Sequence, residues 1–389
     1  MNTAEDTVAY CALNKIFGYH PCLALHLLET VDRPADLFLH PAPDIPDHPE
    51  LTEQLTPAVL DWAALELEKV REGGFRFIGL GSEDYPEALR ECEDPPLGLY
   101  LNGTSSPAEI FSLRPMVAVV GTRDISPYGK AWCRKLVEAL SRARVQPCIV
   151  SGLAYGADGI AHRTALDCGL PTLGIMATGI GQVYPWQHRE LAADMVRTPG
   201  SGVLTDYPTG TAPVALNFVR RNRIIAGLAR GVIVVESKSQ GGSLMTAKYA
   251  VGYSREVYAL PGRADDTRSA GCNSLIHTHM AEIITTPEEL VDQLGLGAPG
   301  IRRRGAGGSW KTGGTDPFLE ALKRRYGAGS ELIPLALAVR EQRGTGPETL
   351  SVSLSRPYPA ILEGLSLLEA DGFVTTDLLH RCSVAPGYD

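Results

Sequence analysis

The sequence predicts an α/β protein built on a doubly wound, mostly parallel sheet. Three observations carry that expectation. From Arg114 onward, six short runs are continuously apolar: "MVAVVG", "PCIVSG", "TLGIMATG", "GVLTDY", "GVIVVES" and "EVYALPG". Runs without polar alternation are what parallel strands covered on both faces require. Helical patterns such as "KAWCRKLVEALSRAR" and "DGIAHRTALDCG" lie between them. Strand and helix alternate at a spacing of roughly 30 residues, the length of a βαβ unit.

The elements follow in order. Residues 1–75 read as a small helical domain, from "TVAYCALNKIF", "PCLALHLLETV" and "AVLDWAALELEKVREGG". The Pro-rich "HPAPDIPDHPE" between them cannot be regular structure. Residues 76–295 form the α/β domain. It opens with "FRFIGLGSEDYPEALRECEDPPLGLYLNG", an apolar run, a helix-like piece and a second apolar run, and closes near "TTPEELVDQLG". Residues 296–315, Gly-rich and basic, read as a flexible linker whose run Arg302–Arg304 is either solvated or adds loose attraction to phosphates. Residues 316–389 form a last small domain, where "AILEGLSLLEADGFVTTDLL" reads as an amphipathic helix, a Gly turn and a strand. No internal repeat is visible.

A length of 389 residues suits two or three domains, and 44% hydrophobic with 21% charged residues suits a globular chain with a sizeable core. The eight cysteines contain no CxxC pair. They read as reduced interior residues of a cytoplasmic protein, not as a disulfide framework or zinc site. The first residues lack the order of a signal peptide, and no apolar run approaches the length of a membrane span. The charge is uneven. Residues 1–110 hold 20 acidic and 6 basic residues, residues 111–294 hold 15 and 19, and residues 295–389 hold 10 and 11. An acidic chain with a mildly basic middle points to an anionic partner for that middle.

Open α/β sheets bind ligands outside the carboxyl ends of their strands, so the loops there are the candidates. After the first of the six strands comes "GTRDISPYGK", where Gly121 permits a tight turn and Arg123 lies just past the strand end. This is neither GxGxxG nor GxxxxGK[ST], and no acidic residue closes the second strand to hold a ribose. No nicotinamide or triphosphate cofactor is expected. Arg123 either meets an anion or caps local backbone. After the second strand comes "SGLAYGADGIAHRTAL", where Gly152 and Gly156 bring backbone close to any ligand. His162 in the following helix reads as a packed or surface residue and not as a catalyst. After the fifth strand comes "ESKSQGGSLMTAKYAV". Gly241, Gly242 and Ser243 open a helix whose free N–H groups make a phosphate cradle, flanked by Lys238 and Lys248. A plain helix entry is the competing account.

The helix feeding the fifth strand, "NFVRRNRIIAGLARG", places Phe218, Ile224, Ile225 and Leu228 on one arc. Arg220, Arg223 and Arg230 fall on another, within about 80° of each other. Arg221 sits nearer the apolar side, where it snorkels or makes a buried pair. The basic arc is either a solvated face or an anion-binding face. No nucleophile–base pair or paired carboxylates stand out, and "HTHM" lacks further ligands for a metal. No enzymatic activity is expected.

These blocks together resemble the bacterial DNA-processing protein A family, also called Smf. The resemblance covers about Ile78 to Leu294, through "DYPEALRECEDPPLGLYLNG", "VAVVGTRDISPYG", "IVSGLAYGADGIAHRTAL", "FVRRNRIIAGLARGVIVVES", "GGSLMTAKYA" and "REVYALPG" in order. It implies an extended Rossmann-like domain, a sterile-alpha-motif-like N-terminal domain and a winged-helix-like C-terminal domain. It implies that single-stranded DNA is bound and protected, that the RecA recombinase is loaded onto it during natural transformation, and that the Rossmann-like domain forms a homodimer. The family's GTR element falls on Gly121, Thr122 and Arg123, its RNR element on Arg221, Asn222 and Arg223, and its phosphate loop on Gly242 and Ser243, with Lys238 before it. "HTHMA" after "GCNSLI" departs from the usual family pattern near the implied dimer surface. Aromatics make up 7% of the chain, so base stacking looks sparse, with Tyr128, Tyr155 and Phe218 as candidates. The alternative is a nucleotide-binding enzyme like the lysine-decarboxylase-like phosphoribohydrolases. Those pair a similar Gly-Gly loop with a nearby acid, whereas this chain has no carboxylate after Gly242 until Glu256.

Overall fold

Nine strands form one sheet: β1 (Arg76–Gly79), β2 (Gly98–Asn102), β3 (Met116–Val120), β4 (Cys148–Ser151), β5 (Thr172–Ile175), β6 (Gly202–Thr205), β7 (Gly231–Val234), β8 (Glu256–Ala259) and β9 (Glu282–Ile283). The computed structural model describes residues 4–38, 45, 48–297, 317–327, 329–341, 346–354, 356–376 and 382–384. The strand order is β1-β2-β6-β5-β4-β3-β7-β8-β9. From β6 to β9 every neighbour is parallel, while β2 joins β6 and β1 joins β2 antiparallel. All six apolar runs of the sequence are strands of this parallel part.

The continuous apolar character of β3 has a direct cause. Met116, Ala118 and Val120 feed the core on one face, and Val117 and Val119 feed the core on the other. The second core is covered by the helices Pro127–Ser141, Ala157–Asp167 and Pro287–Gln293. The first is covered by Ala215–Leu228 and Gly242–Gly252, and also by the N-terminal helices.

That last contact differs from the sequence expectation of a separate helical domain over 1–75. Ala9, Leu13 and Phe17 share one core with Leu99, Leu101, Leu204 and Ile224. Polar ties cross the same boundary. Asn14 Nδ2 donates to the Asp206 carbonyl at 2.7 Å, and the Glu66 carboxylate accepts from the Thr209 N–H and hydroxyl at 2.6 and 2.7 Å. An amphipathic helix must bury its apolar stripe somewhere, and here the stripe lies on the sheet layer.

The chain divides into two compact units, Met1–Arg303 and Arg304–Asp389. The first includes Leu296 and Gly297, whose carbonyls accept from Val145 and Arg144 N–H groups at 3.0 Å. The rest of the expected linker, including Arg302–Arg304, lies outside the described residues. Among the described residues of the second unit, the helices Pro317–Tyr326, Leu332–Glu341, Pro347–Ser353 and Tyr358–Ala370 precede an antiparallel pair, β10 (Val374–Thr376) with β11 (Cys382–Val384). The expected helix, Gly turn and strand are there, with Gly372 at φ +74°. None of the eight cysteines forms a disulfide. Among the described residues no helix is long and apolar enough to cross a membrane.

Candidate nucleic-acid interface

The topology itself places a crevice. From β3 the chain moves to β4, β5 and β6 on one side, then returns to β7 on the other side of β3. Connections after β3 and β7 therefore part to opposite faces, and the gap beyond their carboxyl ends is where such sheets bind ligands. A groove of about 870 Å³ opens at this point. One part of its lining is Gly121–Asp124 after β3, another is Lys238–Ser243 after β7, and Ala154 and Asp158 contribute after β4. The remaining wall is largely apolar: Tyr184, Pro213, Ala215, Phe218 and Val219.

The loop after β3 is held from below. The Thr122 N–H donates to the Glu236 carbonyl at 2.7 Å. The buried Glu236 carboxylate accepts from the Ser126 N–H at 2.9 Å and from the Ser126 hydroxyl, and Ser126 Oγ caps the next helix by accepting from the Gly129 N–H at 3.0 Å. Arg123 needs no part in this. It is exposed, with its guanidinium 5.3 Å from the Phe218 ring. Phe218, one of the stacking candidates, is half-buried and packs edge-on against Tyr184 at 5.5 Å.

The loop after β7 enters the helix Gly242–Gly252 through Gly241, whose N–H donates to the Lys238 carbonyl at 2.9 Å. Ser243 is buried, its hydroxyl donating to Ser237 Oγ at 2.9 Å. The Gly242 N–H has no hydrogen-bond partner among the described residues, as the first N–H groups of a helix usually lack one. Together with the positive end of the helix dipole, it suits an anion. Lys238 is exposed at the lip.

The arginines of the feeding helix behave otherwise, and this corrects the anion-face expectation. Arg221 and Arg223 are each 4% exposed. Arg221 donates to the carbonyls of Gly152, just past β4, and Ile175, the last residue of β5. Burial pushes its pKa down to about 10, opposed by the Asp158 carboxylate, so it stays charged at neutral pH. Arg223 meets Asp206 at 3.1 Å and donates to the Asp94 carbonyl. Arg220 donates to the Gly18 carbonyl at 2.7 Å and lies over the Tyr19 ring at 4.4 Å. Arg230 is exposed at the start of β7, away from the groove. Asn222 does reach the groove, where its Nδ2 donates to the Gly242 carbonyl at 3.3 Å.

Gly152 has a structural reason of its own. A Cβ there would stand 2.6 Å from the Arg221 guanidinium, so the glycine makes room for that group. The groove thus gathers Gly121, Thr122, Arg123, Arg221, Asn222, Lys238, Gly241, Gly242 and Ser243. It leaves out Gly152, Arg220, Arg223 and Lys248; Lys248 is exposed on its helix but off the groove.

Asp158 and Tyr184 are among the lining residues that the sequence reading did not assign to the site. Asp158 accepts from the Gly152 and Ala154 N–H groups at 3.2 and 3.4 Å, and burial raises its pKa against the pull of Arg221. Tyr184 follows β5. The same rule about strand ends points to that loop, and "GQVYPWQH" shows two aromatics there, Tyr184 and Trp186, 47% and 65% exposed.

Comparison with known proteins gives one consistent result. Residues 76–295 match the family described as DNA recombination-mediator protein A. The Escherichia coli protein Smf is 34% identical over 300 residues, covering 76% of this chain and 74% of that one. The Synechocystis protein Smf is 38% identical over 59% of this chain, a match that spans only 56% of the Synechocystis protein. Among solved structures, DNA processing protein A from Streptococcus pneumoniae is 29% identical, with a TM-score of 0.59 over 75% of this chain and 99% of its own. DNA processing protein A from Helicobacter pylori, described for its single-stranded DNA binding mode, is 27% identical. It has a TM-score of 0.50 over 57% of this chain and 95% of its own.

Proposed function

The chain belongs to the DNA recombination-mediator protein A family, and from that premise we propose that the groove beyond β3 and β7 binds single-stranded DNA. The observation that carries this is the groove's two-sided chemistry. Arg123, Lys238 and the unpaired Gly242 N–H supply charge and donors for phosphates, while Tyr184, Phe218 and Val219 supply an apolar wall for bases. No helix is presented as a groove reader in this site, so little sequence choice is expected. The two carboxylates in the lining are already engaged. Asp158 is held by backbone N–H groups, and Asp124 stands 3.8 Å from Arg268. The site is therefore read as a binding site and not a catalytic one. Incubation with nucleoside monophosphates tests this, because release of free base would favour the enzyme alternative.

The family relationship supports extending the proposal. The bound strand is protected and passed to the RecA recombinase during natural transformation, in the cytoplasm. Two copies associate through the sheet unit, and the second unit serves as a winged-helix-like appendage. The deciding experiment is a gel-shift comparison of single-stranded and duplex DNA. Preference for the single strand is expected, and equal or tighter retention of duplex would remove the reading. RecA filament assembly on strands precoated with a single-strand-binding protein, with and without this chain, tests the loading step. Sedimentation tests the pairing.

A further inference from the structure

Beyond the ridge formed by Arg123 and Asp124 lies a second cavity of about 740 Å³, on the other face of the sheet from the feeding helix. Arg123 and Asp124 line both cavities. Two helices form its sides. Pro127–Ser141 contributes Lys130 and Arg134, and Ala157–Asp167 contributes Arg163. All three cations are exposed, and among the described residues none of them makes an ion pair. Asp167 is the carboxylate left to balance them, since Asp124 stands 3.8 Å from Arg268. Three uncommitted cations in one concavity of an acidic chain repel one another, an arrangement that an anion relieves.

The cavity also holds a flat ring. Tyr155 is 42% exposed and is fixed on two sides: its hydroxyl donates to Gln187 Oε1, and its ring stands edge-on to His188 at 5.4 Å. His188 is itself anchored, its Nδ1–H donating to the Leu153 carbonyl at 2.8 Å. A ring immobilised beforehand loses little freedom when a base stacks on it.

We propose that this cavity is a second nucleotide subsite, into which a single strand seated in the groove continues past Arg123. Phosphates meet Lys130, Arg134 and Arg163, and one base stacks on Tyr155. The inference rests on the single-stranded DNA reading of the groove. A phosphorylated small molecule would meet the same charges. The shared Arg123 ridge, which makes one continuous track of the two cavities, favours the strand.

The test is fluorescence anisotropy of oligothymidylates of increasing length, with the full chain and three variants: Lys130→Ala/Arg134→Ala, Arg163→Ala and Tyr155→Ala. Lys135→Ala is the control, an exposed cation on the same helix that lies outside the cavity. Unchanged melting temperatures establish that the variants fold. The expected result is wild-type affinity for the shortest oligonucleotide retained and weaker affinity for longer ones. On the longer oligonucleotides the slope of log affinity against log salt should flatten by about 0.7 for each lost phosphate contact. Wild-type behaviour at every length and salt, or a loss equal to that of Lys135→Ala, overturns the subsite. An equal loss on the shortest oligonucleotide overturns its separation from the groove. A wild-type protein that retains no oligonucleotide fails at the earlier step and removes the groove reading itself.

Discussion

Arg223 and Asp206 face each other at 3.1 Å, both almost wholly buried, whereas Arg123 stands in solvent with no acidic partner among the described residues. The two arginines should therefore fail differently. Arg223→Ala leaves a carboxylate enclosed without its counter-charge, a change that costs about 3–5 kcal/mol. Urea unfolding should show that loss, and the protein that remains folded should keep its DNA affinity. Arg123→Ala should leave unfolding unchanged, weaken binding to all sequences alike, and flatten the salt slope by about 0.7. The opposite pattern would put the phosphate contact at Arg223. His162 governs a different property. Its Nδ1–H donates to Thr172 Oγ1 at 2.7 Å, whose hydroxyl donates to the Ile149 carbonyl at 2.8 Å. Burial first, then the nearby His188 and Arg221 charges, pushes its pKa from 6.5 to about 3. The fold holds the imidazole neutral while the unfolded chain protonates it. The stability it contributes is complete above pH 6.5 and drains away as pH falls from 6.5 toward 3, at up to about 1.4 kcal/mol per pH unit. His162→Gln should therefore show a shallower loss of unfolding free energy between pH 6.5 and 4 than the parent, whatever its stability at pH 7. Equal slopes would assign the acid sensitivity to other groups.

At the scale of elements, the sheet was legible because strands buried on both faces carry a signal that needs no partner to be seen. Within these six strands the buried positions are apolar except for Ser151, Thr172 and Thr205. The loops after β3 and β7 were legible for a related reason, since the rule about carboxyl ends needs only strand order and direction. The feeding helix was not. Angles around an isolated helix say which residues share an arc, but not what covers that arc. Gly18 and Asp94 lie 202 and 129 residues away in sequence, and together with the nearer Asp206 they take up Arg220 and Arg223. Tyr184 was not legible because "GQVYPWQH" after β5 carries no Lys, Arg or Gly pair to mark an anion site. The phosphate-loop helix offers a sharp element-level test. Gly242 is its first residue, where proline is well tolerated, and Gly241 before it already has the extended backbone, φ −71° and ψ 144°, that a following proline imposes. A Cβ at Gly242 meets nothing within 4 Å. Gly242→Pro should thus preserve the helix and melting temperature while deleting one N–H at the groove. Weaker single-strand binding is expected, and unchanged affinity in a folded variant would show that this N–H touches no phosphate.

For the whole molecule, the question is which parts can be removed without losing the groove. Charge and motif position alone argue that both ends are dispensable, because the basic excess lies between them. The packing argues that the two ends are unlike. Among the described residues of the second unit, Phe318, Leu322, Leu335, Leu350, Ile361, Leu368 and Val374 close on one another as a core of their own. The N-terminal helices have no such independence. Leu13 and Phe17 are buried in the core that holds the sheet residues Leu99, Leu101 and Leu204. Removing residues 1–75 would bare that layer to water and strand the Asp206 carbonyl that Asn14 serves. It would also take away Gly18, the acceptor for Arg220 on the groove-forming helix. Each buried leucine or phenylalanine exposed costs about 1.5–3 kcal/mol, against a total stability of about 5–15 kcal/mol for a domain. A chain of residues 1–297 should therefore melt cooperatively and retain single-stranded DNA. A chain of residues 76–297 should aggregate, or melt far below it, despite carrying every groove residue. Thermal melts of the two, followed by gel shifts of whichever stays soluble, decide the matter. A soluble, cooperatively melting 76–297 chain that binds DNA would mean that the helical layer is a cover the sheet can do without.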